Sequence, residues 1–223
     1  MKSVIITGAT GGLGKVVCEQ FLELGYHVFG SVSKRSADKV LLKHDKLSFS
    51  ALDLTNEKEV EAWMNEIFQN HQPEGILMLA GGFAMGKLSE TNADTMQSML
   101  NRNFFTSFFA AKTGLNLYKK HKIGGCFIFI SSGAGFKIDS GTDYGAYALS
   151  KNLLHGLANL IFNEGKAFKV RCHVFIPGVL DTPSNKKSMP DADQSKWSNI
   201  LHMAKVMHQL VDNKESKFSE IIL

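Results

Sequence analysis

Cysteine is scarce in this chain, which argues against several ways of stabilising a protein. The 223 residues include three cysteines, Cys18, Cys126 and Cys172, an odd number without the spacing of metal ligands. None of the eight histidines stands at metal spacing from a cysteine or a carboxylate. We therefore expect buried thiols in a reducing compartment, with neither a disulfide framework nor a metal site.

Long apolar runs and a strong charge of one sign are missing as well. The apolar run at the N-terminus ends at Gly8, too soon for the core of a signal peptide, and no later run approaches a membrane span. The formal net charge is +4, far below that of a typical nucleic-acid-binding domain. We expect a cytoplasmic protein with no membrane and no nucleic-acid partner.

The chain has the length and composition of one globular domain. Hydrophobic residues make up 44% and charged residues 21% of the sequence, and no repeat or flexible linker divides it. We therefore predict a single domain over residues 1–223.

Short apolar runs alternate with longer helical patterns along the chain. The predicted strands are 4–7, 27–32, 47–52, 75–80, 126–130, 170–176 and 219–223. The predicted helices are 14–24, 56–68, 94–120, 147–165 and 196–211. This alternation predicts an α/β fold: a Rossmann-type doubly wound parallel sheet of about seven strands with helices on both faces. Ligands of such sheets bind beyond the carboxyl ends of the strands.

A glycine-rich loop joins the first predicted strand to the first predicted helix. Residues 7–14 read TGATGGLG. Glycines let a backbone turn sharply and approach a phosphate, and the free N–H groups at a helix start favour an anion. A glycine-rich turn without a ligand is the alternative, but the position between strand and helix favours a dinucleotide. The predicted contacts are Gly8, Thr10, Gly12, Leu13 and Gly14.

Tyr147 and Lys151 stand one helical turn apart, so their side chains share a face of the predicted helix. A cation beside a phenol stabilises the phenolate and lowers the pKa of the phenol, which makes Tyr147 a usable proton donor near neutral pH. Alone, this spacing is more typical of two surface residues. Together with the glycine loop, it predicts an active site.

In combination, these motifs resemble the short-chain dehydrogenase/reductase family over nearly the whole chain. The family's cofactor motif TGxxxGxG matches residues 7–14, and its catalytic Asn, Ser, Tyr and Lys correspond to Asn103, Ser132, Tyr147 and Lys151. The resemblance implies that Tyr147 and Lys151 also contact the cofactor. It further implies cofactor contacts after the third, fourth and sixth strands, the last in the motif PGxxxT. These residues are Asp53, Leu54, Ala80, Gly81, Gly82, Pro177, Gly178, Val179 and Thr182.

The resemblance implies hydride transfer between a nicotinamide and a carbonyl or imine carbon. Tyr147 would supply the proton, Lys151 would hold the phenol pKa down and bind the nicotinamide ribose, and Ser132 would orient the carbonyl oxygen. Asn103 would support a water relay to Lys151. Ser132 precedes Tyr147 by 15 positions, about two more than is usual in the family. Ser131 is therefore an alternative, as is a site in which neither serine is essential.

The end of the second predicted strand distinguishes NAD from NADP. An acidic residue there would bind the ribose hydroxyls of NAD, whereas basic residues accommodate the 2′-phosphate of NADP. This chain has Ser33, Lys34 and Arg35, and its first acid is Asp38. Arginine grips a phosphate with two parallel hydrogen bonds, and lysine adds a point charge. We predict NADP (as NADPH), with NAD as the alternative cofactor and two solvated cations as the alternative interpretation.

Residues 180–197 resemble the substrate-side segment of quinoid dihydropteridine reductases, as does the Ala-Gly-Gly sequence at 80–82. Those enzymes generally carry an acid after the second strand and lack the catalytic serine, so this chain differs from them at two points. The predicted function is an NAD(P)H-dependent reductase of a small carbonyl or pterin-like compound. The alternative is a non-catalytic NADP-binding sensor or interaction module on the same fold.

Two predicted helices carry apolar clusters, which core packing and subunit contact explain better than a ligand site does. Phe104, Phe105, Phe108 and Phe109 cluster on the 94–120 helix, and leucines such as Leu153 and Leu160 follow Tyr147. The family resemblance implies association through these two helices. We therefore expect a homodimer or a homotetramer. Phe83 is a candidate for the substrate pocket.

Overall fold

A computed structural model describes residues 1–35 and 42–223, and Asp38 lies outside this part of the chain. The strands found there are β1 (Ser3–Thr7), β2 (His27–Val32), β3 (Leu47–Ala51), β4 (Gly75–Met78), β5 (Cys126–Ile130), β6 (Arg171–Ile176) and β7 (Phe218–Ile222). They form one sheet in the order β3-β2-β1-β4-β5-β6-β7, with every neighbouring pair parallel. The predicted Rossmann-type α/β fold is confirmed.

Helices cover both faces of this sheet. They are α1 (Gly12–Glu23), α2 (Glu57–Asn70), α3 (Ala93–Met99), α4 (Thr106–His121), α5 (Gly133–Phe136), α6 (Gly145–Gly165), α7 (Pro183–Ser188) and α8 (Ile200–Asp212). Alternating residues of β1 face opposite layers: Val4 and Ile6 join the core under α1 and α8, and Ile5 joins the core under α2, α4 and α6. All three side chains are fully buried, as expected for a parallel sheet covered on both sides.

The strand order places a crevice beside β1. The chain adds β2 and β3 on one side of β1 and then crosses over to add β4 to β7 on the other. At such a reversal the loops after neighbouring strands diverge and leave room for a ligand. The glycine loop after β1 and the segments after β4 and β5 meet at this edge of the sheet.

The long helix predicted over 94–120 is divided by a π-helical turn. α3 ends at Met99, the π turn spans Leu100–Phe105, and α4 begins at Thr106. A π turn admits one residue more than an α-helical turn and is frequent at functional sites. Apolar spacing does not reveal it, because a single extra residue leaves the periodic pattern nearly unchanged. Asn103 lies within this turn.

Strand β4 is shorter than predicted because, after Met78, a side-chain hydroxyl accepts the backbone hydrogen bonds in place of a neighbouring strand. The N–H groups of Leu79 and Ala80 both donate to the Thr7 hydroxyl, at 3.1 and 3.3 Å. The chain therefore leaves the sheet after Met78 and turns toward the cleft. A threonine at the start of the glycine loop thus also shapes the loop after β4.

The three cysteines are buried and free, as expected. Burial raises the pKa of the Cys18 and Cys126 thiols to about 12 each, so both stay protonated and unreactive at neutral pH. Across residues 1–35 and 42–223, no cluster of three or more His, Cys, Asp or Glu side chains is arranged to hold a metal. The same part of the chain contains no helix long and apolar enough to cross a membrane.

Candidate active site

The glycine loop is packed so closely that side chains in place of its glycines would force the backbone apart. Gly8 has a φ of +64°, in the left-handed region, and a Cβ atom there would lie 2.8 Å from the backbone of Ala80. A Cβ on Gly14 would collide with the carbonyl oxygen of Gly8 and lie 2.9 Å from the Ala9 Cα. The loop after β1 and the loop after β4 are therefore in backbone contact.

The start of α1 suits an anion. Its N-cap residue is Gly11, which has no side chain to accept hydrogen bonds from the first turn. By contrast, side-chain oxygens cap α2, α3, α7 and α8. The N–H groups at the start of α1 and the positive end of its dipole therefore face the cleft, which fits a cofactor diphosphate.

Thr182 lies on the other side of this helix start. A Cβ atom on Gly12 would sit 2.8 Å from the Thr182 methyl carbon, so a side chain at Gly12 would fill the gap between them. Thr182 is held in place because its hydroxyl caps α7, accepting from the Asn185 N–H at 3.2 Å. The segment after β6 thus approaches the glycine loop.

A cleft of about 920 Å³ opens at the carboxyl ends of β1, β2, β3 and β4. This volume is at the upper end of the range of about 300–1,000 Å³ for ligand pockets. The predicted cofactor residues that line it are Gly8, Thr10, Ser33, Lys34, Arg35, Asp53, Leu54, Ala80 and Gly81. Sequence analysis missed Gly11, Ser31, Leu52, Thr55, Leu79, Ser98, Arg102 and Thr106.

The other predicted cofactor residues lie around the cleft rather than in its lining. Leu13 and Gly14 are buried in the first turn of α1, and Pro177 is buried at the end of β6. The Gly178 N–H donates to the Ser198 hydroxyl at 2.9 Å, and Val179 is exposed. Gly82 contacts the side chain of Arg102.

Glu59 connects two residues that were predicted to bind the cofactor. Asn56 caps α2 with its side chain, but the Glu59 carboxylate does not complete a capping box. It accepts instead from the Asp53 N–H and from the Lys34 ammonium, each at 2.9 Å. These hydrogen bonds lower the pKa of Glu59, the one from the Asp53 N–H most. The Lys34 charge is therefore partly neutralised by the protein itself.

The buried Asn103 amide ties three segments together. Its oxygen accepts from the Gly82 N–H at 2.8 Å, and its nitrogen donates to the Ser150 hydroxyl at 2.9 Å. The π turn, the loop after β4 and α6 are thus joined through one fully buried side chain. Both halves of the amide are used, so its orientation is set by hydrogen bonding.

Lys151 is a buried cation at the same place. Its ammonium donates to the Ile130 carbonyl at the end of β5, at 2.7 Å, and burial lowers its pKa to about 8. A Cβ atom on Gly81 would lie 2.9 Å from the Asn103 amide oxygen and 3.3 Å from the Lys151 nitrogen. Because Gly81 lines the cleft, both polar groups stand at its inner end.

Tyr147 is half-buried and its phenol hydrogen-bonds Ser132. Burial raises the pKa of the phenol, the Ser132 hydrogen bond lowers it, and the nearby Tyr144 raises it further. The expected lowering by Lys151 is therefore not found in the isolated chain. The physical reason is that burial dominates, while the Lys151 ammonium is directed to a carbonyl oxygen.

The two adjacent serines have different partners. Ser131 hydrogen-bonds the His155 ring nitrogen Nε2 at 2.7 Å and the Lys151 carbonyl oxygen at 3.2 Å, so it faces α6. Ser132 begins α5, where its hydroxyl accepts from the Gly135 N–H at 3.1 Å, and it faces the Tyr147 phenol. Of the two, Ser132 is the one beside the predicted proton donor.

An aromatic side chain borders Tyr147 on the open side. The Phe83 ring lies 4.9 Å from the Tyr147 ring and 5.7 Å from the Tyr144 ring, and Phe83 is 55% exposed. An exposed phenylalanine next to a phenol offers a flat apolar surface to a ligand. A place for Phe83 in the substrate pocket stays a prediction.

The sheet order, the glycine loop and the arrangement around Tyr147 define a dinucleotide-binding oxidoreductase fold. The short chain dehydrogenase family profile matches residues 2–193, and the chain belongs to this family.

Several known proteins are similar to this chain. A benzil reductase ((S)-benzoin forming) of Saccharomyces cerevisiae is 31% identical over 83% of this chain and 74% of its own length. An NADPH-dependent 3-dehydrocapnine reductase of Ornithobacterium rhinotracheale is 28% identical over 96% and 78%. A dihydropteridine reductase of Dictyostelium discoideum is 23% identical over 97% and 90%. A solved structure of an ElxO variant with NADPH bound covers 99% of this chain and 96% of its own, at a TM-score of 0.87 and 25% identity.

We expect the buried Lys151 to leave a signature in the pH dependence of stability. Burial lowers its pKa from 10.5 to about 8, so between these values the unfolded chain binds a proton that the folded chain does not. The contribution of Lys151 to the free energy of unfolding should therefore be constant below pH 8 and rise between about pH 8 and 10.5. Relative to Lys151→Met, the wild-type chain should gain about 2–3 kcal/mol across this window.

Urea unfolding of both proteins at several pH values measures this difference. Subtraction is needed because the buried cysteines, whose pKa values are raised, destabilise the fold over the same window in both proteins. The exposed Lys205, replaced by Met, serves as the matched control and should show no such difference. Parallel wild-type and Lys151→Met curves would show that Lys151 keeps its charge on folding.

Proposed function

We propose that this protein is an NADP(H)-dependent reductase of a small carbonyl or pterin-like compound, with Tyr147 as the proton donor. The observation that carries the proposal is that two pairs of polar side chains lie near the carboxyl ends of β4 and β5. The Tyr147 phenol meets the Ser132 hydroxyl, while the Asn103 amide oxygen and the Lys151 ammonium flank Gly81. Family membership makes hydride chemistry the expected use of such groups.

The residues fit a dinucleotide. Three places leave space that a side chain would fill. They are the uncapped start of α1, the gap between Gly12 and Thr182, and Gly81 beside Lys151. When bound, a reduced nicotinamide supplies the hydride that a carbonyl or imine carbon accepts. The carbon–oxygen or carbon–nitrogen double bond becomes single, and the heteroatom takes a proton from the protein.

Tyr147 is placed to give that proton. Burial raises the pKa of its phenol, so the side chain carries its proton at neutral pH and can donate it as charge develops on the substrate oxygen. Ser132, hydrogen-bonded to the same phenol, can hold the substrate oxygen next to it. Lys151 adds a positive charge in a buried setting, where charge stabilisation is stronger than in water.

NADP is the dinucleotide that the charges favour. Arg35 lines the cleft after β2, and no carboxylate of the described residues lies within ion-pair distance of its guanidinium. Such a group suits a 2′-phosphate. The similar ElxO variant has NADPH bound, and the similar 3-dehydrocapnine reductase is NADPH-dependent, which supports the same choice here.

The substrate side favours a flat molecule. Phe83, Tyr144 and Tyr147 present neighbouring rings at the open end of the site. Two relatives are named for benzil and for dihydropteridine, compounds that carry aromatic or fused rings. We therefore expect turnover with a diketone or a quinonoid pterin from a panel of such compounds.

Tyr147→Phe should lower kcat by roughly 10²–10⁴-fold, because it removes the proton donor and leaves the ring in place. Affinity for NADPH should change little. The measurement is NADPH oxidation at 340 nm with the best substrate of the panel, alongside NADPH titration. Tyr144→Phe is the matched control, since it makes the same change three residues away and should retain most of the turnover.

The same assay separates the serines and tests the alternative function. Ser132→Ala should lower kcat, whereas Ser131→Ala should reduce it less because its hydroxyl faces His155. Equal activity in Tyr147→Phe and wild type would contradict the assignment of the donor. Tight NADPH binding without turnover of any compound would support the non-catalytic sensor instead.

Arg35→Asp should weaken NADPH binding by about 10- to 100-fold, the value of a lost charged hydrogen bond of about 1.5–3 kcal/mol. The dissociation constant for NADH should change much less, because NADH has no 2′-phosphate. Lys34→Ala is the matched control, and its effect should be smaller because Glu59 already holds this ammonium. Equal losses for NADPH and NADH in Arg35→Asp would refute the preference.

We also infer self-association through α4 and α6. On α6, Leu153 and Leu160 are 43% and 70% exposed, which leaves an apolar strip without a partner in the isolated chain. Leu160→Glu should shift the molecular mass in light scattering from dimer or tetramer to monomer. Leu201→Glu, an equally apolar exposed position on α8, is the control. A wild-type chain that is monomeric at tens of micromolar would contradict the inference.

A further inference from the structure

Three polar side chains without an assigned role form one wall of the cleft. Ser98, Arg102 and Thr106 are four residues apart and follow one side of the segment from α3 through the π turn into α4. The Thr106 hydroxyl donates to the Arg102 carbonyl at 2.9 Å, which fixes this part of the wall. Arg102 is the charged member of the three.

The Arg102 guanidinium is seated on Gly82. A Cβ atom on Gly82 would overlap the guanidinium carbon and lie 2.7 Å from Nη2. The Gly82 backbone is itself fixed, since its N–H donates to the Asn103 amide oxygen at 2.8 Å. Two neighbouring residues of the π turn therefore both contact Gly82. The Asn103 side chain is buried, whereas the Arg102 side chain is exposed.

The charge of Arg102 is left available to a ligand. Among residues 1–35 and 42–223, no carboxylate lies within ion-pair distance of its guanidinium, whereas Lys34 in the same cleft is paired with Glu59 at 2.9 Å. The planar group thus rests on a backbone, with its exposed side toward the cleft.

Apolar residues stand next to Gly82 in the chain and elsewhere in the cleft lining. Leu79 and Ala80 directly precede Gly81 and Gly82, and Leu54 adds a further apolar side chain to the lining. The groups suited to phosphates lie elsewhere, at the start of α1 for the diphosphate and after β2 for a 2′-phosphate. An aromatic base is the part of a dinucleotide that matches an apolar surface covered by a guanidinium.

We propose that Arg102 covers the adenine ring of the dinucleotide by stacking its guanidinium on the base, with Gly82 as its seat. The proposal rests on the NADP(H)-dependent function proposed above. Arginine stacks on aromatic rings through its plane and its charge, a contact that lysine reproduces poorly. Gly82 is needed because any side chain there would displace the guanidinium. This accounts for the second glycine of the Ala-Gly-Gly segment.

Calorimetric titration of the full chain with three ligands tests this role. The ligands are NADPH, NADH and reduced nicotinamide mononucleotide, which lacks the adenosine half. Arg102→Ala should weaken NADPH and NADH by the same factor, about tenfold and within the 2- to 30-fold range of such contacts. Binding of the mononucleotide should stay unchanged. Arg102→Lys should show most of the same loss despite keeping the charge.

Gly82→Ala gives a second, independent variant. It leaves Arg102 in the sequence but removes its seat, so it should cause a similar loss for both dinucleotides. Lys87→Ala is the control: this exposed cation lies five residues beyond Gly82 and should leave all three affinities unchanged. Circular dichroism and thermal melting establish that each variant is folded before titration.

Three results would overturn the proposal. A loss confined to NADPH would make Arg102 a 2′-phosphate ligand, and an equal loss for the mononucleotide would indicate a disturbed nicotinamide site. Unchanged affinities in both Arg102 variants would show that the guanidinium contacts no part of the cofactor. A wild-type chain that binds neither dinucleotide would instead refute the proposed function, which separates the two failures.

Discussion

The burial of one ammonium group constrains the structure around the candidate active site. Taking a lysine charge out of water costs several kcal/mol unless polar groups replace the lost solvent. Here Lys151 has the Ile130 carbonyl at 2.7 Å, and within the described chain no carboxylate lies in ion-pair range. Gly135 allows α5 to pack on the lysine stem, since a Cβ there would lie 2.6 Å from the Lys151 Cβ. The end of β5, α5 and α6 are therefore arranged around a charge that only dipoles stabilise.

Features that depend on neighbours in sequence could be predicted. The bounds of β2 and β5 follow from short apolar runs, and the sheet follows from their alternation with helices. The glycine loop was identifiable because tight turns need glycine at fixed offsets, which the left-handed Gly8 and the crowded Gly14 now explain. Tyr147 and Lys151 were identifiable because helical spacing alone places them together.

Features that depend on contacts between distant segments could not be predicted. Glu59 holds Lys34 and the Asp53 N–H through its carboxylate, and this could not be foreseen because β2, β3 and α2 meet there only in the fold. Arg102 carried one signal, its position beside Asn103 near a segment with an extra glycine. The position of Arg102 in the cleft wall could be recognised only with knowledge of the π turn, which a periodic apolar pattern does not reveal. The direction of the Tyr147 pKa shift was also missed, since burial depends on the whole packing of the site.

The different partners of Ser131 and Ser132 follow from strand geometry. The backbone stays extended after β5, with φ −161° and ψ 165° at Ser132, so consecutive side chains point to opposite faces. One serine must then face α6 and the other the cleft. The α6 side already offers His155, which Glu220 on β7 holds at 2.5 Å, and Ser131 completes that chain at 2.7 Å. Because this hydrogen-bonded chain fixes Ser131 against the helix, the strand end is fixed too, and Ser132 has a single direction left, toward the Tyr147 phenol.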